Sequence, residues 1–280
     1  MGLFGFRFMQ NFRVSVSGLP AICVSEPEDR RKIGKLRYLG RKIQFRSCRI
    51  RRLKYSGMHS WFTLREIEIL DGRKDEINRE GVKVVVDVFR STTTIPIILK
   101  NGAKEVIPAG TVKKARSLSK EHPEYVLAGE RYGFKVPGFD LGNSPAEVWG
   151  MDFSGKTVIF TSTNGTRIIS RLRDRTILLS SFVNCSATVR FLENADRIVI
   201  ITSGRPDGYA DEDFIYAEYL KEKLSGGDPD DNLYREKILN SSGARRLSMI
   251  GFSRDIEYCI KIDSVGFPVK VEDGIITRSQ

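Results

Sequence analysis

The sequence predicts an α/β fold: three layers, with helices on both faces of a mainly parallel or mixed sheet. Three observations predict it. Short apolar runs rich in β-branched residues recur along the chain, V-V-V-D-V-F at 84–89, T-V-I-F at 157–160 and R-I-V-I-I-T at 197–202. Runs of that length and composition suit strands buried on both faces. Two of them lead into a hydroxyl-rich, Arg-bearing loop and then an apolar helix, R-S-T-T-T-I at 90–95 and T-S-T-N-G-T-R-I-I at 161–169, which reads as an internal βα pseudo-repeat. Between these runs lie segments with helical spacing, and strand–helix alternation is the signature of layered α/β domains.

The elements follow in order from Met58. Phe62 to Leu70 alternates well enough for a first strand, and Asp71-Gly72 with the charged text to Glu80 reads as turn and loop. The run from Val84 is the central strand. A helix follows over about 92–100, where Pro96 is tolerated if it lies in the first turn, and Asn101-Gly102 ends it. Glu105 to Pro108 reads as a strand, Val112 to Glu121 as a helix and Tyr125 to Ala128 as a strand. Gly129 to Pro145 is a long Gly/Pro loop with Asn143 or Ser144 as a helix start. Thr176 to Leu179 is a strand, and Asn184 caps a helix ending near Glu193. After the strand at 197–202 comes a helix from Phe214 to Leu224, then helical text to about Ile250. Phe267 to Val271 and Gly274 to Ile276 pair as a hairpin through Glu272-Asp273-Gly274. An antiparallel strand is expected at the edge of the sheet.

Charge divides the chain. Residues 1–57 hold 14 Lys/Arg against 3 Asp/Glu, which accounts for the whole formal excess of +11. The remainder is balanced, so the high pI describes only the first fifth. Residues 1–57 are therefore expected to be a basic, disordered extension, and residues 58–280 a single α/β domain. A nucleic-acid arm is the alternative use of such a composition. Neither a secretory signal nor a transmembrane run is readable. Four cysteines without CxxC spacing and two histidines argue against a zinc site or a disulfide framework, and the expected compartment is the cytoplasm.

The chemistry lies in the loops. No Ser-His-Asp triad, Walker loop or GxGxxG is present. Acids, hydroxyls, amides and arginines remain, in loops expected at one end of the sheet. Asp87 is the one charge in the text of a buried strand and needs a partner. Carboxylates and amide oxygens suit Mg²⁺, and Arg forks with N–H-lined loops suit phosphate or sulfonate. The candidate catalytic acids are Asp87, Glu130, Asp140 and Asp213. Asp87, Glu130 and Asp140 are the candidate Mg²⁺ ligands. Candidate substrate-binding residues are Arg90, Ser91, Thr92, Thr93, Arg131, Asn143, Ser162, Thr163, Asn164, Gly165, Thr166, Arg167 and Asn184. Of these, Arg90, Arg131 and Arg167 are expected to hold anionic groups.

Five motifs in order, V-V-V-D-V-F-R-S-T-T-T-I, G-E-R-Y-G-F-K-V-P-G-F-D-L-G-N-S-P, T-S-T-N-G-T-R, S-S-F-V-N-C-S-A-T and E-D-F at 212–214, resemble the 2-phosphosulfolactate phosphatase family. The resemblance runs from about Val82 to the C-terminus. It implies Mg²⁺-dependent removal of phosphate from 2-phospho-3-sulfolactate, a small substrate with three anionic groups, on the route to coenzyme M. A homo-oligomer is compatible with it. Residues 1–57 have no counterpart in the family, and Phe89 and Ser91 stand where Leu and Ala are common. The alternatives are a phosphatase of another small phospho-carboxylate, or a non-catalytic α/β protein whose basic arm binds nucleic acid.

Overall fold

The computed structural model describes residues 65–174, 176–206 and 208–279 with their side chains, and before residue 65 only the backbone of short strands. The chain divides into Met1–Glu66 and Ile67–Gln280. In the first unit Ile22–Val24 pairs antiparallel with Arg13–Val14 and with Arg52–Tyr55, and Gly34–Tyr38 pairs with Arg41–Phe45. The expectation of a disordered extension over 1–57 otherwise lies outside the described residues.

The second unit holds the layered domain. Its strands are β1 (Glu66–Asp71), β2 (Val82–Val86), β3 (Glu105–Pro108), β4 (Val126–Arg131), β5 (Phe134–Lys135), β6 (Thr157–Thr161), β7 (Thr176–Ser180), β8 (Arg197–Thr202), β9 (Val269–Glu272) and β10 (Ile275–Arg278). Its helices are α1 (Ser91–Lys100), α2 (Val112–Glu121), α3 (Pro145–Val148), α4 (Gly165–Ile169), α5 (Cys185–Phe191), α6 (Asp211–Leu224), α7 (Asp231–Leu239), α8 (Ser242–Met249) and α9 (Ser253–Cys259). The ten strands form one mixed sheet in the order β5-β4-β6-β3-β10-β9-β7-β2-β8-β1. Central strands are buried on both faces, as their composition requires. In β2, Val85 joins the core on one face, while Val84 and Val86 join the core on the other, following the period of two.

Two features depart from the expected topology. β5 is an antiparallel edge strand, but the β9–β10 hairpin is not at an edge: β9 pairs antiparallel with β7, and β10 with β3, so it is inserted in the middle of the sheet. It separates two parallel groups, β4-β6-β3 and β7-β2-β8, which run in opposite senses. The hydroxyl loops after β2 and β6 therefore do not lie at one end of a parallel sheet. They meet all the same: the Gly165 N–H donates to Asp87 Oδ2 at 2.8 Å. Sheets twist by about 20–25° per strand, so five steps from β2 to β6 are expected to accumulate roughly 100°, and opposite strand senses need not keep the two loops apart.

Helix α1 packs on β3, β7 and β10. Ser91 to Leu99 are all buried, because the helix is apolar on every side apart from its hydroxyls. It begins at Ser91, so Pro96 lies in its second turn rather than its first. Pro96 has no N–H to give the Thr92 carbonyl, and Ser181 Oγ–H donates to that carbonyl instead at 2.8 Å. The helical text to about Ile250 holds two helices, α7 and α8, because Ser241 caps a new helix by accepting the Ala244 N–H. α9 was not read, and α6 begins at Asp211 instead of Phe214. β4 runs on to Arg131, so Glu130 and Arg131 are strand residues. Tyr132 and Gly133, at φ 57° and 96°, make the two-residue turn into β5, a geometry that matches the right-handed twist of hairpins.

Candidate active site

The loops after β2, β4, β5, β6 and β8, the first turn of α6 and one face of α8 line an open cleft. Its polar lining includes Asp87, Arg90, Glu130, Asn143, Thr163, Asn164, Arg205, Glu212 and Arg246, with Phe89, Tyr132, Leu247 and Ile250 as apolar wall. Residues from six separate stretches of sequence thus meet around one volume.

Asp87 is 3% exposed at the end of β2. Burial pushes its carboxyl up to about 6, against hydrogen bonds from Ser91 and the Gly165 N–H, with the Glu130 charge adding to the rise. Gly165 is required here. A Cβ on it would stand 2.8 Å from Asp87 Oδ2 and 2.9 Å from Ser91 Cβ. Asn143 Nδ2 reaches Ser91 Oγ at 3.4 Å, and its buried Oδ1 has no hydrogen-bond partner. A buried orphan carbonyl oxygen beside a raised carboxyl needs a ligand or water to satisfy it.

Glu130 ties two loops together. Its Oε1 accepts the Thr163 N–H at 2.6 Å, and its Oε2 accepts Thr163 Oγ–H at 3.0 Å and the Gly133 N–H at 2.7 Å. Asp213 and Glu212, neighbours in the first turn of α6, face opposite tasks. Both oxygens of Asp213 are taken, Oδ1 by the Val88 N–H at 2.8 Å and Oδ2 by Ser203 Oγ–H at 2.9 Å. Burial, then Asp87 and Glu212, hold its carboxyl well above the usual range. Glu212 lines the cleft, where burial pushes it to about 7 against the pull of Arg205, whose Nη1 lies 3.2 and 3.4 Å from its oxygens. Gly243 packs on that carboxylate, since a Cβ there would lie 2.4 Å from Glu212 Cδ.

The remaining sequence candidates divide. Thr92 and Thr93 are buried at the start of α1 and bond the Asp87 N–H, the Val88 carbonyl and Ser181. Ser162 and Thr166 bond each other across the first turn of α4. Asn164 lines the cleft and accepts from Arg73 Nη2 at 2.7 Å. Asn184 lies away from it; its amide bonds the Ser181 N–H and the Leu179 carbonyl. Arg131 points its fork at the Glu130 carbonyl and Thr161 Oγ, and Arg167 is exposed outside the cleft lining. Asp140 is exposed and accepts the Leu127 N–H at 2.8 Å, anchoring the start of β4. Asp140→Asn is accordingly expected to lower stability by about 1 kcal/mol while leaving phosphate release within about twofold of the parent, read by thermal melting and turnover together.

Sequence reasoning missed Arg205, Arg246 and Glu212 as cleft residues. Their signal was faint: Glu212 stood beside the chosen Asp213, and Arg246 lay in text that read only as helical. Among the described residues no group of three His, Cys, Asp or Glu is placed to hold a metal, so the set Asp87, Glu130 and Asp140 does not gather. No helix among them is long and apolar enough to cross a membrane.

Known proteins resemble the chain over most of this domain. The family model described as 2-phosphosulpholactate phosphatase matches residues 68–273. A protein of Thermoplasma acidophilum is 43% identical over 213 residues, covering 76% of this chain and 96% of its own length. One of Thermoplasma volcanium is 42% identical over 211 residues, covering 75% and 98%. One of Thermotoga maritima is 38% identical over 193 residues, covering 64% and 84%. All three carry the name "probable 2-phosphosulfolactate phosphatase". With that model running from within β1 through β9 and covering every loop of the cleft, the chain belongs to the 2-phosphosulfolactate phosphatase family of phosphoric monoester hydrolases.

Proposed function

We propose that the protein hydrolyses 2-phospho-3-sulfolactate to 3-sulfolactate and phosphate, with Mg²⁺, on the route to coenzyme M. The observation that carries this is one cleft in which three arginines, Arg90, Arg205 and Arg246, stand beside carboxyls shifted toward neutral pH, Asp87 and Glu212. Three guanidinium groups suit a substrate bearing phosphate, sulfonate and carboxylate. Raised carboxyls suit proton transfer near neutrality.

Mg²⁺ fits the donors at one corner of this cleft. Asp87 and Asn143 Oδ1 would hold it, since Mg²⁺ takes one or two protein oxygens and keeps several waters, and a cation would satisfy the orphan amide oxygen and offset the burial of the Asp87 charge. When bound it supplies charge neutralisation at the transferring phosphoryl group. The chain's own residues do the rest. Glu130 sets the Thr163 and Gly133 loops against each other and so shapes the floor of the cleft. Glu212 holds a proton near pH 7 and is suited to give it to the departing alcohol oxygen as the P–O bond breaks. The attacking water then supplies the oxygen and protons that complete the phosphate and restore the acid. Phe89, Leu247 and Ile250 wall this volume with apolar groups, which strengthens its electrostatics.

Phosphate release measured over 2-phospho-3-sulfolactate, 2-phospholactate and phosphoglycolate, with Mg²⁺ and with EDTA, tests the reading. The sulfonate substrate should be turned over with the highest kcat/KM, and EDTA should remove at least 95% of the activity. A preference for the phospho-carboxylates would replace the substrate, and full activity in EDTA would remove the metal.

A further inference from the structure

Arg90 is 3% exposed, and it forms part of the wall between two cavities. One is the cleft described above. The other is lined by Lys135, Ser144, Glu147 and Phe252 and shares Arg90, Gly133 and Asn143 with the first. A guanidinium carries five N–H hydrogens, and two of these are committed. Nη1 donates to Asp255 Oδ2 at 2.7 Å, and Nη2 donates to the Gly133 carbonyl at 2.5 Å. The group also lies over the Phe252 ring, 4.5 Å from its centroid. Position and plane are therefore fixed, and the residue lines both volumes.

Asp255, on α9, is itself 1% exposed. Its second oxygen accepts Ser144 Oγ–H at 2.5 Å and the Ala146 N–H at 3.3 Å. Ser144 Oγ in turn accepts the Glu147 N–H and caps α3, directly after Asn143. One carboxylate from the C-terminal helices thus grips two loops that lie 165 and 111 residues from it in sequence.

We infer that Asp255 is a positioning residue of the site, holding the Arg90 guanidinium as a preset fork for the oxyanion of substrate or product. The inference rests on the proposed reading of the cleft as a site for an anionic phosphorylated substrate. A flexible arginine would lose rotamer freedom each time it closed on an anion, and pre-ordering removes that cost from the binding step. Asp255 also makes burial of the cation affordable, because a buried charge is tolerated when paired and hydrogen-bonded.

The test is a double-mutant cycle read by two probes. Binding of inorganic phosphate is measured by calorimetry, and KM and kcat are measured on 2-phospho-3-sulfolactate. Asp255→Asn should weaken phosphate binding at least tenfold and raise KM by a similar factor, with kcat within about threefold of the parent. Arg90→Met should do the same, and the double variant should be no worse than Arg90→Met alone. Asp255→Glu, which keeps the charge, should recover part of the affinity. Phe252→Leu keeps the ion pair and removes the ring; it should weaken phosphate binding severalfold and serves if Asp255→Asn fails to fold. The inference is overturned if Asp255→Asn and Phe252→Leu bind phosphate within twofold of the parent, or if the losses of Asp255→Asn and Arg90→Met multiply. Should phosphate binding respond as stated while the parent turns over no sulfonate substrate, the positioning role stands and the substrate assignment falls.

Discussion

Replacing Asp87 by Asn is expected to lower phosphate release by at least a thousandfold and, at pH 8 without metal, to raise the melting temperature by several degrees. Both effects have one origin. The Asp87 carboxyl is buried and lies at about 6, above its ordinary value of 3.8. A raised acid binds its proton more tightly in the folded chain than in the unfolded one. Its contribution to stability is present in full below pH 4 and is lost as pH rises through 6. About two units correspond to about 3 kcal/mol at pH 8, which the isosteric amide recovers while its oxygen keeps the Gly165 N–H bond. The gain should shrink to a small part at pH 4, close to the ordinary value of 3.8, and vanish below about pH 3, where Asp87 is protonated in both states. Mg²⁺ reverses the order: on the proposed ligand set, it should raise the melting temperature of the parent and not that of Asp87→Asn. Thermal melts at pH 4 and pH 8, with and without Mg²⁺, read all of this without an activity assay. Equal melting temperatures for the two proteins at pH 8 without metal would mean that Asp87 is not a strained carboxylate.

Glu130→Gln carries the second large expectation: destabilisation by about 3 kcal/mol and a 10- to 100-fold loss of turnover. Three donors converge on the two Glu130 oxygens, two of them backbone N–H groups. An amide accepts through one oxygen and turns an NH₂ toward the remaining donors, leaving at least one unsatisfied at a cost of about 1–3 kcal/mol each. The Thr163 and Gly133 loops should separate, and Gly133 is the backbone acceptor for Arg90. The variant also removes a negative charge that raises Asp87. The acid limb of the pH–rate profile should therefore move to lower pH. A Glu130→Gln protein with the parent's stability and an unmoved acid limb would show that this carboxylate neither joins the loops nor acts on Asp87.

Particular residues show how far the sequence reaches. The strands at 105–108 and 197–202 and the helix at 112–121 were readable to the residue, because each is a local pattern of burial bounded by its own turns. Asp87 stood out because a charge in a run of valines has no local partner, and Glu130, Asn143, Thr163 and Asn164 were named because their loops are polar text between apolar runs. The errors are of another kind. Asp140 and Arg131 sit in the same loop text as Asn143, yet one faces solvent and the other bonds its own strand. Their spacing along the chain could not say which side of the hairpin each would take. Asp213 was chosen over Glu212, and a difference of one residue on a helix is a rotation of about 100°. That rotation decides which carboxylate meets the cleft and which meets the Val88 N–H.

The sequence by itself determined that this chain forms a three-layer α/β domain and that its chemistry rests on hydroxyls, acids and arginines after buried strands. Hydrophobic periodicity and turn chemistry are local, so they are written in the order of the residues. The tertiary structure alone decided that the two hydroxyl loops share one cleft, that Arg205, Glu212 and Arg246 enter it, and that Asp255 holds Arg90. Those facts depend on the C-terminal hairpin entering the middle of the sheet and on the twist accumulated across it. Pairing partners far apart in sequence and the summed rotation of ten strands are properties of the packed chain, and no window of residues contains them.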